Sequence, residues 1–488
     1  MSGPLTYQNC EEIEDLFIAL WNKKIRFIFA NVGIRYLKQN PVEPLACEVE
    51  KFLRTQPYRE RLNLCHDGKN NAKAVETRNQ GNDMFHPRVK RYIEAIKYYN
   101  ESIAHAEKGS EERALAYGNR SIICLELHRY EDCLVNIRLA RESNYPKRME
   151  EKLKKRENDA KQALKKGSKN SNRSKGPARS KATEPAEREL KLSYAGHENM
   201  PQVANCLQLQ RSQEYGRHVV TNRPLNPGDI VMIEKPFVAV LNESLRYVRC
   251  AHCHHEKTFT LIPCEGCTEA MYCSEQCLRK AHQLYHRYEC AVIRDLRRIS
   301  NDFPVMALRT IGLAIAAFDD DLEALKEHLN SVDEAGVNAF TMDWNVAAQK
   351  DIYDTVHTLA TNQHLRDVRE LTYIVLLATI VHQLVMEQTE LGSICEEDAQ
   401  MRKLLFDLIL RYLQIGNCNH QRLRFMEREP NDETFYSSMY AMGCCPLISM
   451  LNHSCASNLR CITLRDGRCA VLVVRPIAEG GQLFVDYG

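Results

Sequence analysis

Apolar and charged residues alternate at helical spacing from Ile13 to Leu37, and Trp21, Phe27 and Phe29 are the expected core positions of that stretch. Residues 1–75 read as a helical N-terminal region. From 76 to 165 the pattern is again helical and repeats: Tyr92, Ala95, Tyr99 and Ser102 return at a constant offset as Tyr130, Cys133, Ile137 and Ala140. Lys165 to Lys181 is rich in Lys, Arg, Ser, Asn and Gly and nearly lacks apolar residues, so it predicts a flexible linker. The pattern then changes period. Gly216 to Val220 and Asp229 to Ile233 predict strands separated by the turn Asn226-Pro227-Gly228. Residues 292–427 are helical by period, with Leu308, Ile311, Ala314 and Ile315 on a packed face. Strands close the chain at Cys461 to Leu464, Ala470 to Val474 and Gln482 to Val485.

The repeated segment resembles tetratricopeptide repeats. Gly81-Asn82 opens one unit and Asn119-Arg120-Ser121 the next, with Tyr145-Pro146 closing it. Small residues stand where paired helices touch, and an aromatic stands where they wedge. A third, weaker helix pair is expected from Met149. An ordinary helical hairpin bundle is the alternative.

Composition narrows the function classes. The chain has 488 residues, 44% hydrophobic, with 66 basic and 64 acidic residues for a net charge of +2. That allows two to four domains and gives no global drive toward nucleic acid. No run of eighteen apolar residues occurs, and the longest apolar stretch, Ile374 to Ile380, is broken by His382 and Gln383. A buried helix rather than a membrane span is expected there. The basic linker can also serve nuclear import, and a cytoplasmic and nuclear location is expected.

Seven of the 20 cysteines and one histidine fall in metal-ligand spacing: Cys250-x2-Cys253, Cys264-x2-Cys267, Cys273-x3-Cys277 and His286-x3-Cys290. Eight such ligands make two closed tetrahedral zinc sites with no open position, so the ions are structural. Disulfides are the competing reading, but the polar opening Met1 to Cys10 gives no apolar signal stretch and no sign of an oxidising compartment. His282 competes with His286, which is preferred because its spacing to Cys290 puts both on one helical face.

Two motifs lie near the C-terminus. One is Asn452-His453-Ser454-Cys455, preceded by Leu447 to Leu451 and followed by Asn458; the other runs from Glu479 to Gly488 through Asp486-Tyr487. An Asn-His-Ser-Cys segment followed by a terminal strand ending in Tyr resembles the SET domain of lysine methyltransferases. A MYND-type zinc module splitting that domain resembles the SET-and-MYND-domain (SMYD) family, and repeats ahead of both resemble its fourth member. The resemblance implies an α+β multidomain chain. Its parts are a helical region (1–75), tetratricopeptide repeats (76–165), a basic linker (166–190) and an N-terminal SET part (191–249). The MYND module (250–290), a helical insert (291–440) and a C-terminal SET part (441–488) follow.

The resemblance also implies S-adenosylmethionine as cofactor beside the two structural zinc ions. Tyr487 takes the catalytic role. Asn452 and His453 match the segment that holds the cofactor's amino-acid end, with Ser449 and Leu451 upstream. Asn419 follows Cys418 as in the family's Cys-Asn pair, and Gly216-Arg217 match its N-terminal glycine loop. Two positions depart from the pattern: Glu214-Tyr215-Gly216 keeps one glycine of Gly-x-Gly, and Ser457 replaces a proline before Asn458. The family uses the motif cysteine in a third zinc site with three cysteines beyond the tyrosine. This sequence ends at Gly488, so a shortened form with reduced activity is expected.

Arg78 with Asn82, then Asn119, then Lys152 with Arg156 resemble a two-carboxylate clamp for an acidic C-terminal peptide of a heat-shock chaperone. A solvated basic face is the alternative. The expected partners are a protein lysine substrate, histone or non-histone, this chaperone peptide, and proline-rich peptides at the MYND module. Sequence-specific nucleic acid and membrane are not expected. The leading function is lysine methylation, and its rivals are an inactive scaffold and a zinc-dependent transcriptional adaptor.

Overall fold

A computed structural model describes residues 11–25, 42–64, 68–171, 190–334, 336–428 and 435–487. Phe27, Phe29 and residues 172–189 of the linker at 166–190 lie outside the described residues. The chain forms two compact units, each assembled from separated segments.

One unit comprises residues 1–66, 191–242 and 281–488. Its main sheet has five strands in the order Gly196–His197, Met200–Ala204, Ile230–Glu234, Cys469–Val473, Leu459–Thr463. The strand Cys469–Val473 lies antiparallel to Ile230–Glu234, so the two ends of the SET-like pattern share one sheet. A second sheet places Phe435–Cys444 between Val238–Leu241 and His420–Arg428. Here the structure corrects the sequence reading. Helix was expected to residue 427, yet the last helix of the insert, Ala399–Asn419, stops at Asn419 and a strand follows. The cause is local: Arg422 and Arg424 alternate with Leu423 and Phe425, a period of two.

The expected strands appear within two residues of their sequence limits, and Gln482 to Val485 contracts to Phe484–Val485. In the helical insert Leu308, Ile311, Ala314 and Ile315 are all buried on Phe303–Ala317. The helix Val368–Gln388 is long and apolar enough to cross a membrane, but 72% of its most apolar window is buried inside the protein. Near the N-terminus, Ile13, Leu16, Phe17 and Leu20 bury one face of Glu11–Leu20.

The other unit comprises residues 67–190 and 243–280. Helices Asn71–Phe85, Tyr92–His105, Glu111–Glu126 and Tyr130–Glu142 form two successive pairs. The residues singled out by the repeat sit where they pack. A Cβ on Gly81 would stand 2.5 Å from the Tyr99 ring, and one on Gly118 would stand 2.8 Å from Tyr145. Only glycine admits those aromatics. Beyond Met149 a single long helix, Glu150–Ser171, is described where a helix pair was expected.

Within this unit the helices hold the zinc-type loops by polar side chains. Lys69 donates to the carbonyls of Cys264 (2.5 Å) and Cys267 (2.7 Å). Asn100 donates to Tyr247 and Thr258 carbonyls at 2.8 Å each. Arg120, fully buried, donates to Asn136 (2.5 Å), Asn100 (2.6 Å) and the Leu261 carbonyl (2.9 Å). Arg129 lies 4.0 Å over the Phe259 ring. A buried cation is costly unless its donors are used. Nε and Nη1 of Arg120 are used and fix loops that have little core of their own, while Nη2 has no hydrogen-bond partner among the described residues. Replacing Arg120 by Met strands Asn100 and the Leu261 carbonyl in a dry site. We expect the stability of this unit to fall by about 3 kcal/mol or more, read as a shifted urea midpoint at unchanged m-value.

Candidate active site and metal centres

The C-terminal motifs meet in the first unit. Asn452–His453 runs parallel to Phe484–Val485, with Asn452 opposite Phe484 and His453 opposite Val485. The Ser454 N–H extends this pairing to the Val485 carbonyl (3.0 Å). Asn458 holds the arriving chain from the side. Its amide donates to the Gln482 carbonyl (2.9 Å), and its side-chain oxygen accepts from Phe484 N–H (2.8 Å). Further back, Gly480 N–H reaches the Thr221 carbonyl, and Leu483 N–H reaches that of Val219.

This bracing delivers Tyr487 to one place. Its N–H donates to His453 Nδ1 (3.1 Å), and its hydroxyl donates to the Leu451 carbonyl (2.8 Å). The His453 and Tyr487 rings lie 5.1 Å apart. Half of the Tyr487 surface is exposed, yet desolvation at its hydroxyl end raises the phenol to about 12, and the Cys418 thiol adds to the rise, so the hydroxyl keeps its proton at neutral pH.

The other cofactor-type residues gather on the same segment. Ser449 donates to the Asn419 carbonyl (3.2 Å) and accepts from Gln421 (3.3 Å). Asn419 spends its amide on the carbonyls of Ala360 (2.9 Å) and Ile415 (3.0 Å), which fixes its side-chain orientation. Asn452 donates to the Tyr215 carbonyl (3.1 Å), joining the motif to the Gly216 loop. Gly216 has φ +61°, a conformation that favours glycine, and a Cβ there would meet nothing within 4 Å. The open space in front of this backbone fits close approach by a cofactor. Arg217 is the second residue of the strand Gly216–Thr221 and lies opposite Arg211.

Sequence reasoning missed Glu234 and Gln421. Glu234 accepts the N–H groups of Leu447 and Ile448 at 3.0 Å each. Burial raises its carboxyl to about 8, against the downward pull of those two hydrogen bonds. The signal was present: one carboxylate in a strand whose other residues are Ile, Val, Met and Ile.

Of the two expected ligand sets, the first, Cys250, Cys253, Cys273 and Cys277, lies within the second unit with its ligand atoms within 4.8 Å of one another. Of the other, Cys264 and Cys267 belong to that unit, and His286 and Cys290 to the first unit. In the four-cysteine set, Cys273 Sγ is 3.6 Å from Cys253 Sγ and 3.5 Å from Cys277 Sγ. A tetrahedron with Zn–S bonds of about 2.3 Å has edges of about 3.8 Å, whereas a disulfide needs about 2.05 Å. The four-cysteine set therefore fits zinc. His286 is further oriented: its Nδ1 lies 3.1 Å from Glu289 Oε1, leaving Nε2 to face a metal. Arg309 grips the same carboxylate at 2.6 and 3.1 Å and donates onward to the Ala239 carbonyl (2.6 Å). Gly312 makes this possible, since a Cβ there would stand 2.8 Å from Tyr285 Cα.

The proposed clamp residues lie in the second unit. The Tyr99 hydroxyl and the Asn119 amide both donate to Asn82 Oδ1 (2.9 and 2.8 Å). Burial raises the Tyr99 phenol, and the charges of Arg78 and Arg156 oppose that rise. Arg156 is committed to the Gly118 carbonyl (2.7 Å) and Ser121 (3.3 Å). Arg78 Nε is buried with no hydrogen-bond partner among the described residues. Lys152 stays exposed.

These two motifs and their sheet define a class. The family model described as "SET domain" matches residues 216–488, and the chain belongs to the SET domain family. A zebrafish protein named protein-lysine N-methyltransferase SMYD4 is 24% identical over 425 residues, covering 79% of this chain and 54% of that protein. The chicken protein of that name is 26% identical over 516 residues, covering 86% and 69%. An Arabidopsis thaliana protein named histone-lysine N-methyltransferase ASHR1 is 22% identical over 283 residues, covering 58% and 49%. Within the SET family the similarity is thus to SMYD proteins of the fourth-member type. The chain spans little more than half the length of the zebrafish relative.

Glu289→Gln keeps the shape of the carboxylate but removes the charge shared by His286 and Arg309. We expect it to weaken zinc retention in the His286 set by about tenfold and to leave the four-cysteine set intact, measured by competition with a chromophoric chelator.

Proposed function

We propose that the chain is an S-adenosylmethionine-dependent protein-lysine N-methyltransferase in which Tyr487 orients an in-line methyl transfer. The observation that carries this reading is the Tyr487 hydroxyl hydrogen-bonded to the Leu451 carbonyl, one residue before the Asn452–His453 pair. Bound there, the cofactor would supply an electrophilic methyl group on a sulfonium. Asn452, His453, Ser449, Leu451, Asn419 and Gly216-Arg217 would hold it. The lysine amine must arrive neutral, which costs about 4–5 kcal/mol at pH 7 from an ordinary pKa near 10.4. A protonated phenol does not take that proton, so the role of Tyr487 is to fix the geometry of the amine and the methyl group. The proteins named protein-lysine N-methyltransferase among its relatives support the same reading.

A scaffold role is the second reading, favoured by the basic, amide-lined group at Tyr99. We assign the helix pairs as tetratricopeptide repeats and their ligand as an acidic peptide bearing a free C-terminal carboxylate, as at the tail of a heat-shock chaperone. Arg78 offers a buried donor for that carboxylate. Proline-rich peptides at the zinc module and residence in cytoplasm and nucleus are further parts of the proposal.

Tyr487→Phe is expected to lower kcat for methyl transfer from labelled S-adenosylmethionine about 100-fold, with the cofactor KM nearly unchanged. Equal turnover of wild type and this variant would remove Tyr487 from the mechanism. For the repeats, Arg78→Ala should weaken an acidic C-terminal peptide about tenfold or more in a calorimetric titration. Amidating the peptide's C-terminus should cost the wild type as much and cost the variant little.

A further inference from the structure

We infer that Glu234 is the positioning residue for the cofactor segment, acting through the backbone of Leu447 and Ile448. The inference rests on the methyltransferase reading for its kinetic consequence, but its geometry stands apart from it. Glu234 ends a strand in which every residue is buried. No cation pairs with it among the described residues. Two accepted N–H groups require the ionised carboxylate, and burial opposes that charge, so both oxygens must be used. Both are: Oε1 accepts from Leu447 N–H and Oε2 from Ile448 N–H, 3.0 Å each.

Those N–H groups open the short 3₁₀ turn Ile448–Met450, where a helical turn has no partners of its own to offer. The chain leaves that turn through Leu451, whose carbonyl receives the Tyr487 hydroxyl, and enters Asn452. On its other side the turn is held by Gln421, which accepts Cys445 N–H (2.7 Å) and donates to Ser449. Gln421 is on a strand of the smaller sheet, and Glu234 is in the five-stranded sheet. The segment is thus clamped to both sheets, and Glu234 supplies the grip from the one that carries Cys469–Val473.

Glutamine is nearly isosteric here, but it has one acceptor oxygen, and its amide nitrogen would face a backbone N–H. Aspartate keeps both oxygens on a shorter reach. The test compares the full chain with Glu234→Gln and Glu234→Asp by hydrogen–deuterium exchange and by steady-state kinetics. For Glu234→Gln we expect exchange at residues 447–452 to quicken about tenfold or more while residues 230–233 and 469–473 keep their protection. The S-adenosylmethionine KM should rise about tenfold with kcat within twofold, and Glu234→Asp should recover part of both. Wild-type exchange at 447–452 in Glu234→Gln overturns the proposal, as does an increase spread evenly over both sheets. If Glu234→Gln does not fold, Glu234→Asp must show the local increase by itself or the proposal fails. A chain that binds no S-adenosylmethionine would sink the methyltransferase reading alone, and the exchange pattern would still decide the role of Glu234.

Discussion

A phenol hydroxyl can define a reaction geometry only if the backbone that carries it cannot swing. Tyr487 sits just beyond a two-residue strand, Phe484–Val485, far too short to hold itself. Its position depends on hydrogen bonds from outside that strand. Thr221, Val219, Asn458 and Ser454 each hold one step of the approach between Gly480 and Val485. The partner strand, Asn452–His453, is equally short. Two such segments are rigid only together, and only because larger sheets anchor the residues before each of them.

That dependence explains why polar groups are buried here at all. The segment before Asn452 is a tight turn with unpaired amides, and apolar packing cannot satisfy an amide. Glu234 and Gln421 can, and each reaches the turn from a different sheet. The same solution recurs at the metal centres. Glu289 orients His286, and Arg309 neutralises Glu289 while tying it to the Ala239 carbonyl. Ala239 lies opposite Gly443, on the strand Phe435–Cys444 that runs into the turn gripped by Glu234. The supports of His286 and of the Asn452 segment therefore meet on one strand pair.

Much of this was legible in the sequence because the chemistry is local. Cysteine pairs two or three residues apart declare their metal, and the strands around Gly216 and Cys469 declare themselves by period. Glycine against aromatic, as at Gly81 with Tyr99, is also a short-range signal. The strand His420–Arg428 was lost because it follows the helix Ala399–Asn419 directly, with no loop between them, although Gly416 stands in the helix's last turn. Its alternation of Arg with Leu and Phe is only a few residues long, too brief to outweigh the helical run before it.

The support of the site was the illegible part, for a different reason. Glu234 and Ile448, or Glu289 and Arg309, carry no spacing rule that links them, because each pair meets only after the sheet or helix pairing is made. What the sequence does show is half of each pair: an acid inside an apolar strand, and a Glu three residues after a ligand histidine on one helical face. A buried charge without a local partner is a demand that the fold must meet from a distance. Here the demand of Glu234 is met at the backbone before Asn452, and that of Glu289 by the Arg309 and His286 side chains. An unpaired acid within an apolar run is therefore the sequence feature that points to the support of such a site, even though it leaves the distant partner unnamed.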